Sequence, residues 1–335
     1  SAFSSCSNLE NLRIDANFLL INSDAFYMCE KMTTLSILGS NIEIGYRAFY
    51  GCKSVQYIKL NAKNISISQK AFYSCTDLHN VTIDVNEITI GIESFSSCSN
   101  LHDLSIKGNS ATIESSAFSS CTSLSNFMIE GNCLSIGQSA FSSCSSLHDV
   151  SIIVDEIKIG QSAFSSCSNL ANLKIDGSFV NIENNAFHMC GQIISLLMMS
   201  NNITIGYQAF YECQNIQYIK LNAKNVSISQ KAFYSCTYLR NTTINGNEIN
   251  IGINSFSSCT NLRELVIEGN LTMIESSAFS SCSSLEILTI EGNLTTIGEN
   301  AFSSCSGLQN LTINGSLTTI GENAFVSCSS LEKLI

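Results

Sequence analysis

The cysteines of this 335-residue chain fall on a single arithmetic series. Fifteen of the sixteen follow one another at a 23-residue step, from Cys6 to Cys328, with no insertion anywhere. Phe stands three positions before each of these ladder cysteines and follows Ala or Ser. Self-similarity at such a period is typical of solenoids, whose units bury their apolar faces only against neighbouring units. The period therefore predicts that residues 1–335 form a single solenoid domain of about fifteen coils.

The apolar positions of one repeat predict the path of a coil. Counting forward from each ladder cysteine as position 0, apolar residues recur at +6 and +8, and Ile stands at +15 in all fourteen complete repeats. The +6 and +8 alternation indicates a short strand, and the segment ending at +15 indicates a second strand on the opposite side. Ala, Phe and Cys at +19, +20 and +23 are spaced as one face of a helical turn. The predicted class is α/β, with short parallel strands and one helical turn per coil.

A side-chain ladder of Asn is predicted after the first strand. Asn occupies +11 in eight of the fourteen complete repeats. An Asn at this turn can satisfy backbone groups of the next coil. We therefore expect the side chains at +11, such as those of Asn270 and Asn293, to be buried.

Composition and charge exclude several classes of protein. Charged residues make up 13% of the chain and hydrophobic residues 44%, so disorder is not expected. The net charge is −11 and the 16 basic residues are dispersed, which excludes a nucleic-acid partner. No apolar run approaches the roughly 20 residues that cross a bilayer, so no membrane span is expected. Because the chain starts inside the repeat pattern, we expect it to be a segment of a longer protein.

The repeat resembles a known family. LxxLxIxxN, followed by IG and then AFxxC at a 23-residue step, is similar to the BspA-like class of leucine-rich repeats. That family commonly has Pro after the first strand, whereas this chain has none. The resemblance implies a leucine-rich repeat solenoid on bacterial or protist surface proteins. It also implies a non-enzymatic, extracellular or cell-surface binding role, often adhesion.

A longer, 161-residue period of seven coils is superimposed on the first. Residues 42–75 and 203–236 are nearly identical, which makes 1–161 and 162–322 duplicate blocks. The duplication presents two equivalent surfaces, which suits bivalent contacts.

The chemistry-bearing residues predict neither catalysis nor a metal or cofactor. Cβ atoms of ladder cysteines about 4.8 Å apart are too distant for a disulfide, so these thiols are predicted to be free and buried. Cys133 at +12 is the exception. His79, His102 and His148 share +4, but no third metal ligand accompanies them. A stack without insertion loops offers no pocket where a catalytic group of residues could converge.

Binding is predicted on the outward residues of the first strand, at +5, +7, +9 and +10, on the concave face. Tyr and Lys with amide donors suit a protein or carbohydrate ligand, although Tyr, Lys and Thr are also ordinary strand surface residues. An apolar patch on the ninth coil is a second contact site. The ligand-binding candidates are Tyr57, Lys59, Asn61, Tyr218, Lys220, Asn222, Leu197 and Met199.

Two further expectations concern the surface. The sequence contains nine NxS/T sequons, and those outside the predicted buried ladder are the better glycan acceptors. They are Asn64, Asn202 and Asn225 at +12 and Asn80, Asn241 and Asn310 at +5. Neither end carries a polar capping unit, so either flanking residues supply caps or copies stack end to end into a fibre or coat.

Overall fold

The computed structural model describes residues 2–335, apart from the side chain of Leu294. It divides into two compact units, Ser1–Leu170 and Ala171–Ile335. Each unit is a parallel β-solenoid in which the strand of one coil pairs with the strand of the next. The sequence predicts about fifteen coils, and the structure has about fourteen strand-bearing turns followed by one short strand.

Every coil of the first unit contributes one strand of eleven residues. Neighbouring strands pair in parallel with residue i opposite residue i+23, as Ile14 lies opposite Ile37. The register is therefore the period of the sequence. The strands are β1 (Asn11–Ile21), β2 (Thr34–Ile44), β3 (Tyr57–Ile67), β4 (Asn80–Ile90), β5 (Asp103–Ile113), β6 (Asn126–Ile136) and β7 (Asp149–Ile159).

The second unit repeats this arrangement, but its first three coils each carry two shorter strands. These are β8 (Asn172–Asp176), β9 (Phe179–Ile182), β10 (Ser195–Met199), β11 (Asn202–Ile205), β12 (Tyr218–Asn222) and β13 (Asn225–Ile228). The later coils have β14 (Asn241–Ile251), β15 (Glu264–Ile274), β16 (Ile287–Ile297), β17 (Asn310–Ile320) and β18 (Lys333–Leu334).

The second predicted strand continues the first around a corner and does not lie on the opposite side. Along β3 exposed and buried residues alternate until Lys63 and Asn64, at +11 and +12, which are both exposed. Side chains of successive strand residues point to opposite faces, so two exposed neighbours mark a bend. Each coil thus presents two outward strand faces, one at +5, +7 and +9 and the other at +12 and +14. The prediction that +10 points outward is wrong, because Ala62 and Val85 at +10 are buried.

The segment before each ladder cysteine is a turn, so the predicted helical turn and α/β class are wrong. No helix occurs among residues 2–335. Lys70 and Ser74 both have φ of 58°. The intervening N–H groups alternate in direction: Phe72 donates to Ser94 O of the next coil at 2.7 Å, and Tyr73 donates to Lys70 O at 3.2 Å. A helix about 10 Å across requires coils to fan apart on the helix side, whereas this turn pairs with its neighbours at a spacing close to the strand spacing of about 4.8 Å.

Columns of identical side chains form the core of each unit. Phe118 stacks between Phe95 and Phe141, with ring centroids 5.0 and 5.1 Å apart, and all three side chains are fully buried. This spacing on the turn side nearly equals the strand spacing of about 4.8 Å, so the coils fan out little there. Glycines at +10 allow close approach, since a Cβ on Gly131 would lie 1.7 Å from the carbonyl oxygen of Gly108.

Candidate functional site

The predicted Tyr, Lys and Asn residues of the first unit lie together on the outward face of β3. Tyr57 is 50% exposed, and Lys59 and Asn61 are also exposed. The Tyr57 ring lies 6.5 Å from the ring of His79, and Asn61 Nδ2 donates to Asp84 Oδ2 at 3.5 Å. An aromatic ring, a cation and an amide therefore share one exposed strand.

In the second unit the two predicted contact sites, the apolar patch of the ninth coil and the Tyr and Lys residues of the tenth, lie side by side on paired strands. Leu197 and Met199 on β10 are 60% and 70% exposed, and they lie opposite Lys220 and Asn222 on β12. Tyr218 on the same strand is 45% exposed, while Asn222 is half-buried. The result is an aromatic and aliphatic patch with a polar edge, the composition of a protein–protein contact. We call these residues and their counterparts on β3 the strand-face surface.

The second outward face carries a feature that sequence reasoning missed. At +12 four successive coils of each unit present an aromatic ring, two amides and a carboxylate, each opposite the next in the strand pairing. We call these the corner rows. They are Phe18, Asn41, Asn64 and Glu87 in the first unit and Phe179, Asn202, Asn225 and Glu248 in the second. The signal was available in the sequence, because each residue matches its counterpart 161 positions later.

The predicted glycan acceptors occupy two different environments. At +12, Asn64 Nδ2 donates to Asn41 Oδ1 and Asn225 Nδ2 donates to Asn202 Oδ1, both at 2.8 Å. At +5 the acceptors are half-buried, and Asn241 Nδ2 is held by Glu264 Oε2 at 2.9 Å. The half-buried acceptors at +5 are Asn80, Asn241 and Asn310.

The Asn ladder at +11 exists, but it is exposed and joins side chains to side chains. Asn270 Nδ2 donates to Asn247 Oδ1 at 2.6 Å, and Asn293 Nδ2 donates to Asn270 Oδ1 at 3.2 Å. The expectation of burial is wrong because +11 lies at the corner, where the side chain points away from the core.

The fifteen ladder cysteines are free thiols, and all but Cys6 and Cys328 are buried in the core. At least thirteen of the fifteen donate their S–H to the carbonyl of a Phe one coil away, as Cys144 Sγ does to Phe118 O at 3.2 Å. Burial raises the pKa of Cys52, Cys167 and Cys213 to about 12. A protonated thiol is a poor nucleophile, so these sulfurs act as small apolar groups.

Thiol reactivity tests this placement. Native protein treated with excess iodoacetamide is expected to gain three adducts, on the half-buried Cys6, Cys133 and Cys328. The adduct on Cys328 should form more slowly, because partial burial raises the pKa of this thiol to about 11. The other thirteen thiols are buried and should react only after unfolding. Intact-mass spectrometry before and after denaturation counts the adducts. Rapid modification of the buried thiols in the folded protein would contradict the stacked core.

Two of the three histidines at +4 lie on neighbouring coils. The rings of His79 and His102 stack in parallel with centroids 5.7 Å apart, and His102 Nδ1 lies 2.6 Å from Asn100 O. Within residues 2–335 no three His, Cys, Asp or Glu side chains form a group able to hold a metal ion. The same residues include no helix of the length and apolarity that crossing a bilayer demands.

Sequence and structure comparisons agree on the repeat type. A family model described as "BspA type Leucine rich repeat region (6 copies)" matches residues 1–125, 66–194, 112–240 and 226–335 of this chain. A leucine-rich repeat protein from Bacteroides ovatus has a similar fold, with a TM-score of 0.57 at 20% identity over 94% of this chain and 82% of its own. A leucine rich cell surface protein from Faecalibacterium prausnitzii matches at 18% identity over 97% and 78% of the two chains, with a TM-score of 0.32. No functionally curated protein has a significant sequence match to the chain.

Proposed function

Because the chain belongs to the BspA-type leucine-rich repeat family, we propose that it is a non-enzymatic binding scaffold at the cell surface or outside the cell. Stacked repeats present extended surfaces suited to binding, and the strand-face surface is the candidate here. Adhesion through a protein ligand is the role that this surface supports best. Because of the duplication each unit carries a related copy of the strand-face surface, which favours bivalent attachment.

The observation that carries the proposal is the exposed apolar and aromatic patch of the second unit. Leu197 and Met199 are large aliphatic side chains left 60% and 70% exposed beside Tyr218. Exposed apolar patches with a polar rim are characteristic of protein contacts. Tyr is also enriched among the residues that dominate binding energy. A carbohydrate ligand at this surface is the alternative, and it would rely on Tyr57 and Tyr218 without the aliphatic pair.

Replacing Tyr57 and Tyr218 together by Ala is expected to weaken ligand binding by at least about tenfold, since each removes an exposed aromatic anchor. The fold should survive, because both side chains are about half exposed. The measurement is the binding affinity of the fluorescently labelled protein for intact and for protease-treated cells. Circular dichroism monitors folding. A Leu197→Ser, Met199→Ser variant separates the two ligand classes, as only a protein ligand needs the aliphatic patch. Unchanged binding by all these variants would contradict the proposal.

A structural role is the second candidate. In this role copies of the repeat protein stack end to end into a fibre or coat, as heterologous contacts do when they fail to close. Negative-stain electron microscopy of the purified chain distinguishes the two roles. Rods that lengthen with protein concentration support the fibre, whereas discrete particles of one chain length contradict it.

A further inference from the structure

We propose that the two corner rows are binding sites for a neutral oligosaccharide. They lie around the strand corner from the strand-face surface and do not depend on the function proposed for it. Four features support this assignment: an exposed aromatic ring, an ordered pair of amides, a shallow acidic groove, and the retention of all four residues in both blocks.

The aromatic ring stands at one end of each row. Phe18 is 79% exposed and Phe179 is 46% exposed, whereas the ladder phenylalanines at the centre of each unit are fully buried. An exposed Phe on a strand costs solvation and contributes little to the core. A flat apolar ring is the group on which the C–H face of a sugar stacks, because it is apolar and rigid.

The amides next to the ring are already ordered. Asn64 Nδ2 donates to Asn41 Oδ1, and Asn225 Nδ2 donates to Asn202 Oδ1, each at 2.8 Å. Across the part of the chain that the structure describes, the donor Asn41 Nδ2 and the acceptor Asn64 Oδ1 have no hydrogen-bond partner. A hydroxyl group both donates and accepts, so it matches this pair. Ordering the amides beforehand lowers the entropic cost of binding.

A groove begins on the coil after the ring and runs between positions +12 and +14 of four successive coils, without the ring itself among its lining residues. Its volume is about 340 Å³ in the first unit and about 420 Å³ in the second. Acidic residues line it, including Glu87 and Glu248, and no basic residue is among those lining residues. Lys63 and Lys224 adjoin the rows at +11 without lining the grooves. With a chain charge of −11, a neutral ligand is favoured over an anionic one.

Comparison of the two blocks separates the rows from their surroundings. On the second coil of each block the outward-facing residues have changed, as Ser36 corresponds to Leu197 and Glu43 to Thr204, yet Asn41 corresponds to Asn202. Further along +12 the residues have also changed, from Ser110 to Leu271 and from Glu156 to Leu317. Around Asn64 nearly the whole strand is retained, so that position does not distinguish the row from its neighbours. Duplication alone does not explain why Phe18, Asn41 and Glu87 match their counterparts while residues beside them differ.

The length of the row sets the size of the ligand. Coils stack about 4.8 Å apart, so the four residues of one row span roughly 14 Å. This distance exceeds one sugar ring, and the open ends of the groove do not limit chain length. The ligand is therefore a short stretch of an oligosaccharide and not a monosaccharide.

The test uses the whole chain produced in a bacterial host, where Asn64, Asn202 and Asn225 carry no N-glycan. Cellohexaose, maltohexaose, xylohexaose and mannohexaose are mixed separately with the protein, and saturation-transfer NMR measures binding. We expect transfer to at least one of them. The affinity should fall at least about tenfold in the Phe18→Ala, Phe179→Ala variant and in the Asn64→Ala, Asn225→Ala variant. Both aromatic positions are exposed, so circular dichroism should report an unchanged fold.

Two controls keep this result separate from the strand-face surface. The Tyr57→Ala, Tyr218→Ala variant should bind the same hexasaccharide with unchanged affinity, and hexagalacturonate should not bind. The proposal is overturned if none of the four neutral hexasaccharides receives saturation, or if the Phe variant binds as tightly as the parent protein. Equal binding of hexagalacturonate would also overturn it. None of these outcomes bears on the loss of cell binding expected for the Tyr variant.

Discussion

Raising the pH above about 9 is expected to destabilise the protein steeply. Burial raises the pKa of Cys52, Cys167 and Cys213 from 9.0 to about 12. Below pH 9 these thiols are protonated in both the folded and the unfolded chain. Between pH 9 and 12 only the unfolded chain releases the protons, so the unfolded state gains stability. Each thiol then lowers the free energy of unfolding by about 1.4 kcal/mol per pH unit, or about 4 kcal/mol for the three together.

Urea unfolding at a series of pH values from about 8 to about 11 measures this slope. Tyr and Lys also titrate there, so the comparison is with a Cys52→Ala, Cys167→Ala, Cys213→Ala variant. Its free energy of unfolding should fall less steeply with pH, by about 4 kcal/mol per pH unit. Cys133→Ala is the matched control, because Cys133 lies outside the ladder and is half-buried. Equal slopes for the triple variant and the parent would show that the thiols are not in a dry core.

Replacing Phe118 by Ala is expected to lower the free energy of unfolding by about 3 to 5 kcal/mol. The ring is fully buried and stacks on Phe95 and Phe141, with centroids 5.0 and 5.1 Å away. Removal of the ring leaves a cavity between two rings that the strand register holds in place. The neighbours cannot close the gap without breaking pairing on the far side of the coil. The cost therefore includes both lost burial and the cavity.

Phe18→Ala is the matched control for this prediction, since the same residue type is 79% exposed. Its effect should stay within about 0.5 kcal/mol, as for other surface substitutions. Urea unfolding monitored by circular dichroism compares the two variants. A similar, small effect for both would mean that the Phe column is not packed as the structure has it.

The period of the sequence was sufficient to predict the stacking and its register. A 23-residue step without insertions places Ile14 opposite Ile37 and each ladder Phe against the next, as the structure has them. The path within a coil was harder to predict. The spacing of Ala, Phe and Cys is compatible with a helical turn and also with the turn observed. Which of the two forms depends on hydrogen bonds between coils, such as Phe72 N–H to Ser94 O. These bonds do not affect the residue spacing within a single coil.

The candidate sites show a similar division. Alternation along the strand identified Tyr57, Lys59 and Asn61 as outward, and all three are exposed. The proximity of Leu197 and Met199 to Lys220 and Asn222 follows from the step of one coil. The corner rows were missed because the residue at +12 varies among the fourteen repeats, so comparison of single 23-residue repeats shows no pattern at this position. Only the 161-residue comparison aligns Phe18 with Phe179.

Cross-linking across one coil tests the in-register stack most directly. Ser110 and Cys133 are paired residues on β5 and β6, whereas Glu87 pairs with Ser110 and is therefore two coils from Cys133. In a Cys6→Ala, Cys328→Ala background, dibromobimane should link Cys133 to a cysteine placed by Ser110→Cys, about 4.8 Å away. It should fail with Glu87→Cys, about 9.6 Å away. Peptide mass spectrometry that finds the 110–133 link and no 87–133 link is the predicted result. Failure of the first link, or equal yields of both, would contradict the stacking of successive 23-residue coils.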